Sequence, residues 1–205
     1  DITALHLAME REAGLVTFHG PMAAAFGNEE YDTPGFLKAL QQVAPLGPVP
    51  WPDPAAEGAP VPVAVRPGVA EGRLVGGNLS LLAAMAGTPW APDYTGRIVL
   101  IEDIDEFPYR MDRMLVQLLL ASNLGKAAGI LFGDSPTCLS GEEGKPSLSL
   151  MDVMQELLVP LGIPVLYGFP CGHTQYRATL PLGVTVRLDA GAAALTVLES
   201  ALRSA

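Results

Sequence analysis

The stretch RIVLIEDIDEFPYRMDRML, residues 97–115, constrains this chain more than any other. Ile98-Val99-Leu100-Ile101 is a short unbroken apolar run, the pattern of a buried strand. It breaks abruptly into Glu102-Asp103-Ile104-Asp105-Glu106. Pro108 then stands where a helix can begin, and Tyr109, Met111, Met114, Leu115, Leu118 and Leu119 come after it at helical spacing. A buried strand that opens into a helix is the unit of an α/β fold, and such folds place functional groups at the carboxyl ends of their strands. Glu102 is the acid closest to the strand. It is either a working group at that rim or solvated loop charge. Asp103, Asp105 and Glu106 are read as solvated charge, with Glu106 favouring the helix N-terminus through the dipole.

The rest of the chain alternates in the same way. Ile2, Leu5, Met9 and Ala13 mark a helix ended by Gly14, and Leu15–Phe18 is a short strand leading into His19-Gly20-Pro21. His6 is read as a surface or packed histidine. Prolines 45, 48, 50, 52, 54, 60, 62 and 67 crowd the next segment, which favours an extended connection over helix or central strand. Residues 44–67 are therefore expected to link a unit at 1–43 to one at 68–205, with Trp51 packing the linker onto the body. Gly76-Gly77 permits a tight turn or a close backbone approach, and Asn78 is a good N-cap for a helix through Ala86. Without Gly-x-Gly-x-x-Gly there, a dinucleotide site is not supported.

Beyond the central helix, a strand over Ala127–Phe132, a polar loop over Asp134–Lys145 and a helix over Leu148–Leu158 are expected. Gly162–Tyr167 reads as a strand ending in the constrained loop Gly168-Phe169-Pro170-Cys171-Gly172-His173. Leu182–Leu188 and Ala193–Leu198 are expected as the last strands.

A net charge of −10 argues against a nucleic-acid groove or an anionic membrane surface as partner. Cys138 and Cys171 cannot form a disulfide framework. No apolar run reaches the roughly 18 residues of a transmembrane helix. The chain opens on Asp1-Ile2-Thr3 without methionine, as a chain cut from something longer would, so nothing is expected about export.

His173 is the second anchor. Glu102 and His173 both come after apolar strands, and such loops can converge on one rim. A glutamate accepting from one imidazole nitrogen fixes the tautomer and leaves the other nitrogen to act as a base. These are two members of a Ser-His-Glu arrangement. No Gly-x-Ser-x-Gly supplies the serine, and Ser80, Ser122, Ser135, Ser140, Ser147 and Ser149 lie in cap, helix or loop contexts. Metal is the competing reading, with Cys171 and His173 as ligands and Cys138 or His19 as further ones. The spacing matches no strong zinc pattern.

Several ordered motifs together carry a resemblance. His19-Gly20-Pro21-Met22, Gly76-Gly77-Asn78-Leu79-Ser80, Gly87-Thr88-Pro89, Leu100-Ile101-Glu102-Asp103 and Pro108-Tyr109-Arg110-Met111-Asp112-Arg113-Met114-Leu115 come first. Gly168-Phe169-Pro170-Cys171-Gly172-His173 and Leu180-Pro181-Leu182-Gly183 come after them. The chain resembles, nearly end to end, the LD-carboxypeptidases, serine peptidases of muropeptide recycling. The resemblance implies a remnant of a flavodoxin-like, Rossmann-like N-terminal layer plus a C-terminal swivelling β/β/α domain. It implies that Asp1-Ile2-Thr3 comes directly after the nucleophilic serine of a Gly-aromatic-Ser-Asp motif. Glu102 then orients, His173 is the general base, and the backbone N–H of Asp1 is a candidate oxyanion donor. His19, Gly20, Arg110 and Arg113 become candidate substrate contacts, with a salt bridge from the arginines to Asp112 or Glu106 as the alternative. Thr174-Gln175-Tyr176-Arg177 departs from the small residue that often comes next to the histidine in the family.

The implied enzyme is a cytoplasmic homodimer that needs no metal or cofactor. It removes the terminal D-alanine of a murein tetrapeptide in peptidoglycan recycling. Two other readings stay open: a microcin-immunity peptidase cleaving peptide-nucleotide antibiotics, and a non-catalytic muropeptide sensor.

Overall fold

A computed structural model of the chain describes residues 2–22, 30–139 and 146–203. In chain order the elements are α1 (Ile2–Ala13), β1 (Thr17–His19), α2 (Asp32–Gln41), β2 (Gly47–Pro48), β3 (Val63–Arg66), β4 (Val69–Asn78), α3 (Leu79–Met85) and β5 (Ile98–Glu102). They continue with α4 (Pro108–Ala121), β6 (Gly129–Gly133), α5 (Leu150–Leu157), β7 (Val165–Phe169), β8 (Leu180–Leu182), β9 (Thr185–Asp189) and β10 (Ala194–Val197). The fold is α/β, built on an eight-stranded sheet of order β2-β10-β9-β4-β5-β6-β7-β3. Its centre, β4-β5-β6-β7, is parallel; β9, β10, β2 and β3 pair antiparallel around it. β1 and β8 form a separate two-stranded ribbon.

Strand β5 is central and buried at every residue. Its side chains alternate between two cores, as the two-residue period of a strand requires. Val99 and Ile101 pack with Leu79, Leu82, Met111, Leu115, Leu118 and Met154 from α3, α4 and α5. Ile98 and Leu100 face the other way, among Phe169, Cys171, Leu180, Leu182 and Val184. Each such aliphatic side chain gains about 1.5–3 kcal/mol by leaving water. Glu102 continues the Ile98–Leu100 row, so the strand that folds the protein also carries a carboxylate inward.

Gly76 and Gly77 lie inside β4, and a close backbone approach is the reason for them. A Cβ at Gly76, where φ is +130°, would stand 2.0 Å from the Leu100 carbonyl oxygen of the neighbouring strand. Asn78 caps α3 as expected, accepting from the Leu81 N–H at 3.3 Å. The proline-rich stretch is extended but not free of the sheet: it contributes β2 at one margin and β3 at the other. Proline offers no N–H to a ladder, so a margin is where such a strand fits. Trp51 packs edge-on against Phe169 at 5.4 Å and donates to the Ala193 carbonyl at 2.6 Å. The strand expected over Leu182–Leu188 is broken into β8 and β9 at Gly183, whose φ is +92° and whose N–H donates to Leu74 O at 2.8 Å.

Candidate active site

Four parallel strands run the same way, so their carboxyl ends share one rim. β4 ends there at Asn78, the register partner of Glu102 on β5. β6 ends before Asp134, and β7 feeds the loop that carries His173. The first turn of α1 reaches the same rim, where Thr3 Oγ1 accepts from the Asn78 N–H at 3.1 Å. Asp1 lies outside the described residues, as do Ser140 and the rest of the polar loop through residue 145.

His173 Nδ1 donates to Glu102 Oε2 at 2.7 Å. The carboxylate is 2% exposed and the imidazole 47%, so a buried anion holds a ring that opens to solvent. Two glycines make the room. At Gly172, where φ is +90°, a Cβ would fall 2.7 Å from Glu102 Oε2. At Gly133 it would fall 2.7 Å from the Cys171 carbonyl and 3.0 Å from Glu102 Cβ.

Burial by itself pushes the Glu102 carboxyl up. Hydrogen bonding from His173 and the approach of His19 outweigh it and hold the carboxyl down to about 2. The bond to Glu102 raises His173 above the ordinary imidazole value, against the pull of its own partial burial. The pair therefore keeps one ionised oxygen on Nδ1 and leaves Nε2 for proton transfer, the arrangement a general base requires. Asp134 accepts from Thr174 Oγ1 at 2.9 Å and so braces the residue after His173. Its carboxyl is pushed up by burial, opposed by that bond.

The remaining candidates divide between the pair and the surface. His19 ends β1, with Nε2 3.8 Å from Glu102 Oε1. Gly20 backs onto Thr179, where a Cβ would meet Oγ1 at 2.8 Å. Arg110 and Arg113 sit on the exposed face of α4. Arg110 binds Tyr109 Oη at 3.0 Å and Glu106 at 3.3 Å, and Arg113 lies 5.3 Å over the Tyr109 ring. Their contacts are with this surface cluster, the salt-bridge alternative for Arg110 included.

Cys171 is fully buried, and burial, with Glu102 and Asp134 nearby, pushes its thiol well up, so it stays protonated. Among the described residues no three His, Cys, Asp or Glu side chains converge as a metal site. No helix among them is long and apolar enough to cross a membrane.

Of the two places open to His6, the structure gives the packed one: it is 7% exposed, and its imidazole is lowered to about 4 by burial and by His19. The expectation for Asp103 needs correction. Asp103 is not solvated: at 4% exposure it accepts from Asn78 Nδ2 at 2.9 Å, Ser80 N at 3.0 Å, Ser80 Oγ at 2.7 Å and its neighbour Ile104 N at 2.9 Å. Its partners lie on the next strand and helix, so the acidic run hides a residue that locks β5 to β4. Asp134, Thr174 and Gly133 carry no signal of their own in the sequence; Gly172, squeezed between Cys171 and His173, does.

A carboxylate–imidazole pair at the carboxyl rim of a parallel sheet is the working part of enzymes that move an acyl group with a histidine base. The proteins this chain is similar to include carboxypeptidases. Residues 71–188 match the LD-carboxypeptidase C-terminal domain, and the chain belongs to the LD-carboxypeptidase family.

It is 41% identical to a probable murein peptide carboxypeptidase of Bacillus subtilis (strain 168), over 92% of this chain and 58% of that protein. The structure of MccF in complex with glutamyl sulfamoyl guanosine superposes with a TM-score of 0.82 at 28% identity, over 98% of this chain and 66% of that one. The muramoyltetrapeptide carboxypeptidase of Oxalobacter formigenes does so at 0.74 with 31% identity, over 96% and 65%. The chain spans about three-fifths of the length of the curated relatives it matches.

Proposed function

We propose that this chain supplies the histidine–glutamate part of a serine LD-carboxypeptidase that hydrolyses the L,D-bond to the terminal D-alanine of a murein tetrapeptide. The observation that carries the reading is the 2.7 Å bond between buried Glu102 and half-exposed His173. It lies at the rim to which the first turn of α1 is bonded. By the family resemblance, the nucleophile is a serine immediately before Asp1. Its hydroxyl attacks the scissile carbonyl while His173 Nε2 takes its proton. The backbone N–H of Asp1 donates to the oxyanion, and His173 returns the proton to the leaving D-alanine amine. Water, activated by the same nitrogen, releases the acyl group. Glu102 stays ionised throughout and steadies the imidazolium. Residues 1–43 close the N-terminal layer and 68–205 form the C-terminal domain, in a cytoplasmic homodimer that serves peptidoglycan recycling.

The likeness to MccF, solved with glutamyl sulfamoyl guanosine, favours a second substrate class, peptide-nucleotide antibiotics, for the same residues. The test is mass spectrometry of a murein tetrapeptide and an aminoacyl sulfamoyl nucleoside, each incubated with the full-length protein and with its His173→Ala variant. Loss of one alanine from the tetrapeptide with the parent protein alone is the expected result. Cleavage of the nucleoside conjugate alone selects the second class, and cleavage by both proteins removes His173 from the mechanism.

A further inference from the structure

We propose that His19 is a positioning residue that holds the second oxygen of Glu102, so that the carboxylate is clamped between two imidazoles. The inference rests on the reading of Glu102 and His173 as the acid–base pair. Oε2 is taken by His173 at 2.7 Å, and the group facing Oε1 is His19 Nε2 at 3.8 Å. A carboxylate that is 2% exposed has little water to satisfy it and needs protein donors on both oxygens.

The tautomer is set by the ring's other side. His19 Nδ1 is buried with no hydrogen-bond partner. A neutral imidazole carries one N–H, and placing it on Nε2 aims it at an anion, whereas placing it on Nδ1 would bury it unpaired. His19 therefore turns an Nε2–H toward Glu102 Oε1, a polar contact at 3.8 Å that is longer than a hydrogen bond. Its side chain is 11% exposed, so little of it is open to solvent.

The backbone delivers this ring rigidly. His19 pairs with Leu180 across the β1–β8 ribbon, and Gly20 lets the chain close on Thr179, where any Cβ would collide. The titratable and charged groups around the clamp come from every side. His6 on α1 has its ring 6.4 Å from that of His19. Cys171 and Asp134 lie near Glu102, and Asp103 and Arg177 act on His173 through their charges. Burial keeps His6 and Cys171 uncharged, so neither adds a competing charge beside Glu102. One fixed oxygen leaves the other nowhere to turn but toward His173.

The experiment uses full-length protein carrying His19→Phe, which keeps a ring and removes the donor, and His19→Gln, which keeps an N–H at similar reach. Two quantities are read: the His173 titration midpoint by imidazole NMR, and kcat and KM for D-alanine release from murein tetrapeptide. In His19→Phe the midpoint rises, because Glu102 with one donor fewer holds the His173 proton more tightly. kcat falls on the order of 10–100-fold with KM little changed. His19→Gln restores most of both. If His19→Phe does not fold, His19→Asn, whose amide stops short of Oε1, takes its place. A midpoint that stays put, a loss confined to KM, or a glutamine variant no better than phenylalanine overturns the assignment. Failure of the parent protein to release D-alanine would sink the proposed substrate, while the NMR midpoint would still decide the role of His19.

Discussion

Replacing Glu102 with glutamine keeps the shape of the side chain and removes its charge. The Glu102 carboxyl titrates near 2 where an ordinary glutamate titrates at 4.5, a preference for the ionised form of about 3 kcal/mol. That preference is the contribution of the two histidines after burial has taken its share. Without it, two things change at the 2.7 Å contact. In the proposed mechanism the imidazolium loses its counter-ion, and the glutamine N–H₂ can donate to Nδ1, which moves the ring proton onto the nitrogen proposed to accept from serine. At about 1.4 kcal/mol per decade, losing the counter-ion and part of the correct tautomer is a fall in kcat on the order of 10³–10⁴.

The rate profile against pH gives the sharper test. Glu102 raises His173, so its removal lowers His173, and the acid limb of kcat/KM moves to lower pH even as the whole curve drops. The assay is D-alanine release by the full-length protein between pH 4 and pH 9 (chosen to bracket the imidazole), with denaturant midpoints to confirm folding. A folded Glu102→Gln enzyme that loses less than about tenfold, or whose acid limb stays in place, refutes the assigned roles.

The same contacts respond to other perturbations. Stability should fall in acid as Glu102 takes its proton: its contribution is complete above about 4.5 and lost as pH drops through about 2, so urea midpoints should decline over that window less steeply in Glu102→Gln. Gly172→Ala meets Glu102 Oε2 at 2.7 Å and Glu102 Cβ at 2.8 Å from a backbone with φ of +90°, and should cost about 1–3 kcal/mol together with most of the activity. Equal stability and rate for that variant would remove the need for a glycine. Asp103→Ala strands the Ser80 and Asn78 donors and should lower unfolding free energy by about 3 kcal/mol, seen as a shifted urea midpoint with unchanged slope.

Local pattern carried much of the fold. β5 announces itself as an apolar run, α4 by its proline start and helical spacing, and α3 by Asn78. Glu102 was legible for the same reason, as the first acid after a buried strand. Asp103 was not, because its burial depends on Asn78 and Ser80, 25 and 23 residues earlier. A run of acids looks the same whether its members face water or a neighbouring helix cap. His19 could be singled out on its turn, but its distance from Glu102 depends on how the β1–β8 ribbon packs on the main sheet. Helix α2 is masked locally by Thr33, Pro34 and Gly35 in its first turn, and the contact that fixes it is tertiary: Asp32 accepts from the Arg177 N–H at 2.7 Å, beyond the His173 loop. The proline crowding around β2 and β3 predicted extension correctly while saying nothing about which remote strands would receive it.

That crowding has a consequence for how the molecule is assembled. One continuous segment finishes the sheet at both margins, and the margins of an eight-stranded sheet stand about 34 Å apart at the usual strand spacing. The partners it seals, β7 and β10, are made roughly a hundred and a hundred and fifty residues after it. During synthesis the segment must wait, and strands already formed present bare edges that another chain could join. As β7 and then β10 emerge, the two short proline-bounded strands can close first one side and then the other. Among the described residues the finished sheet ends on strands of only two and four residues, which leaves a neighbouring molecule little ladder to extend.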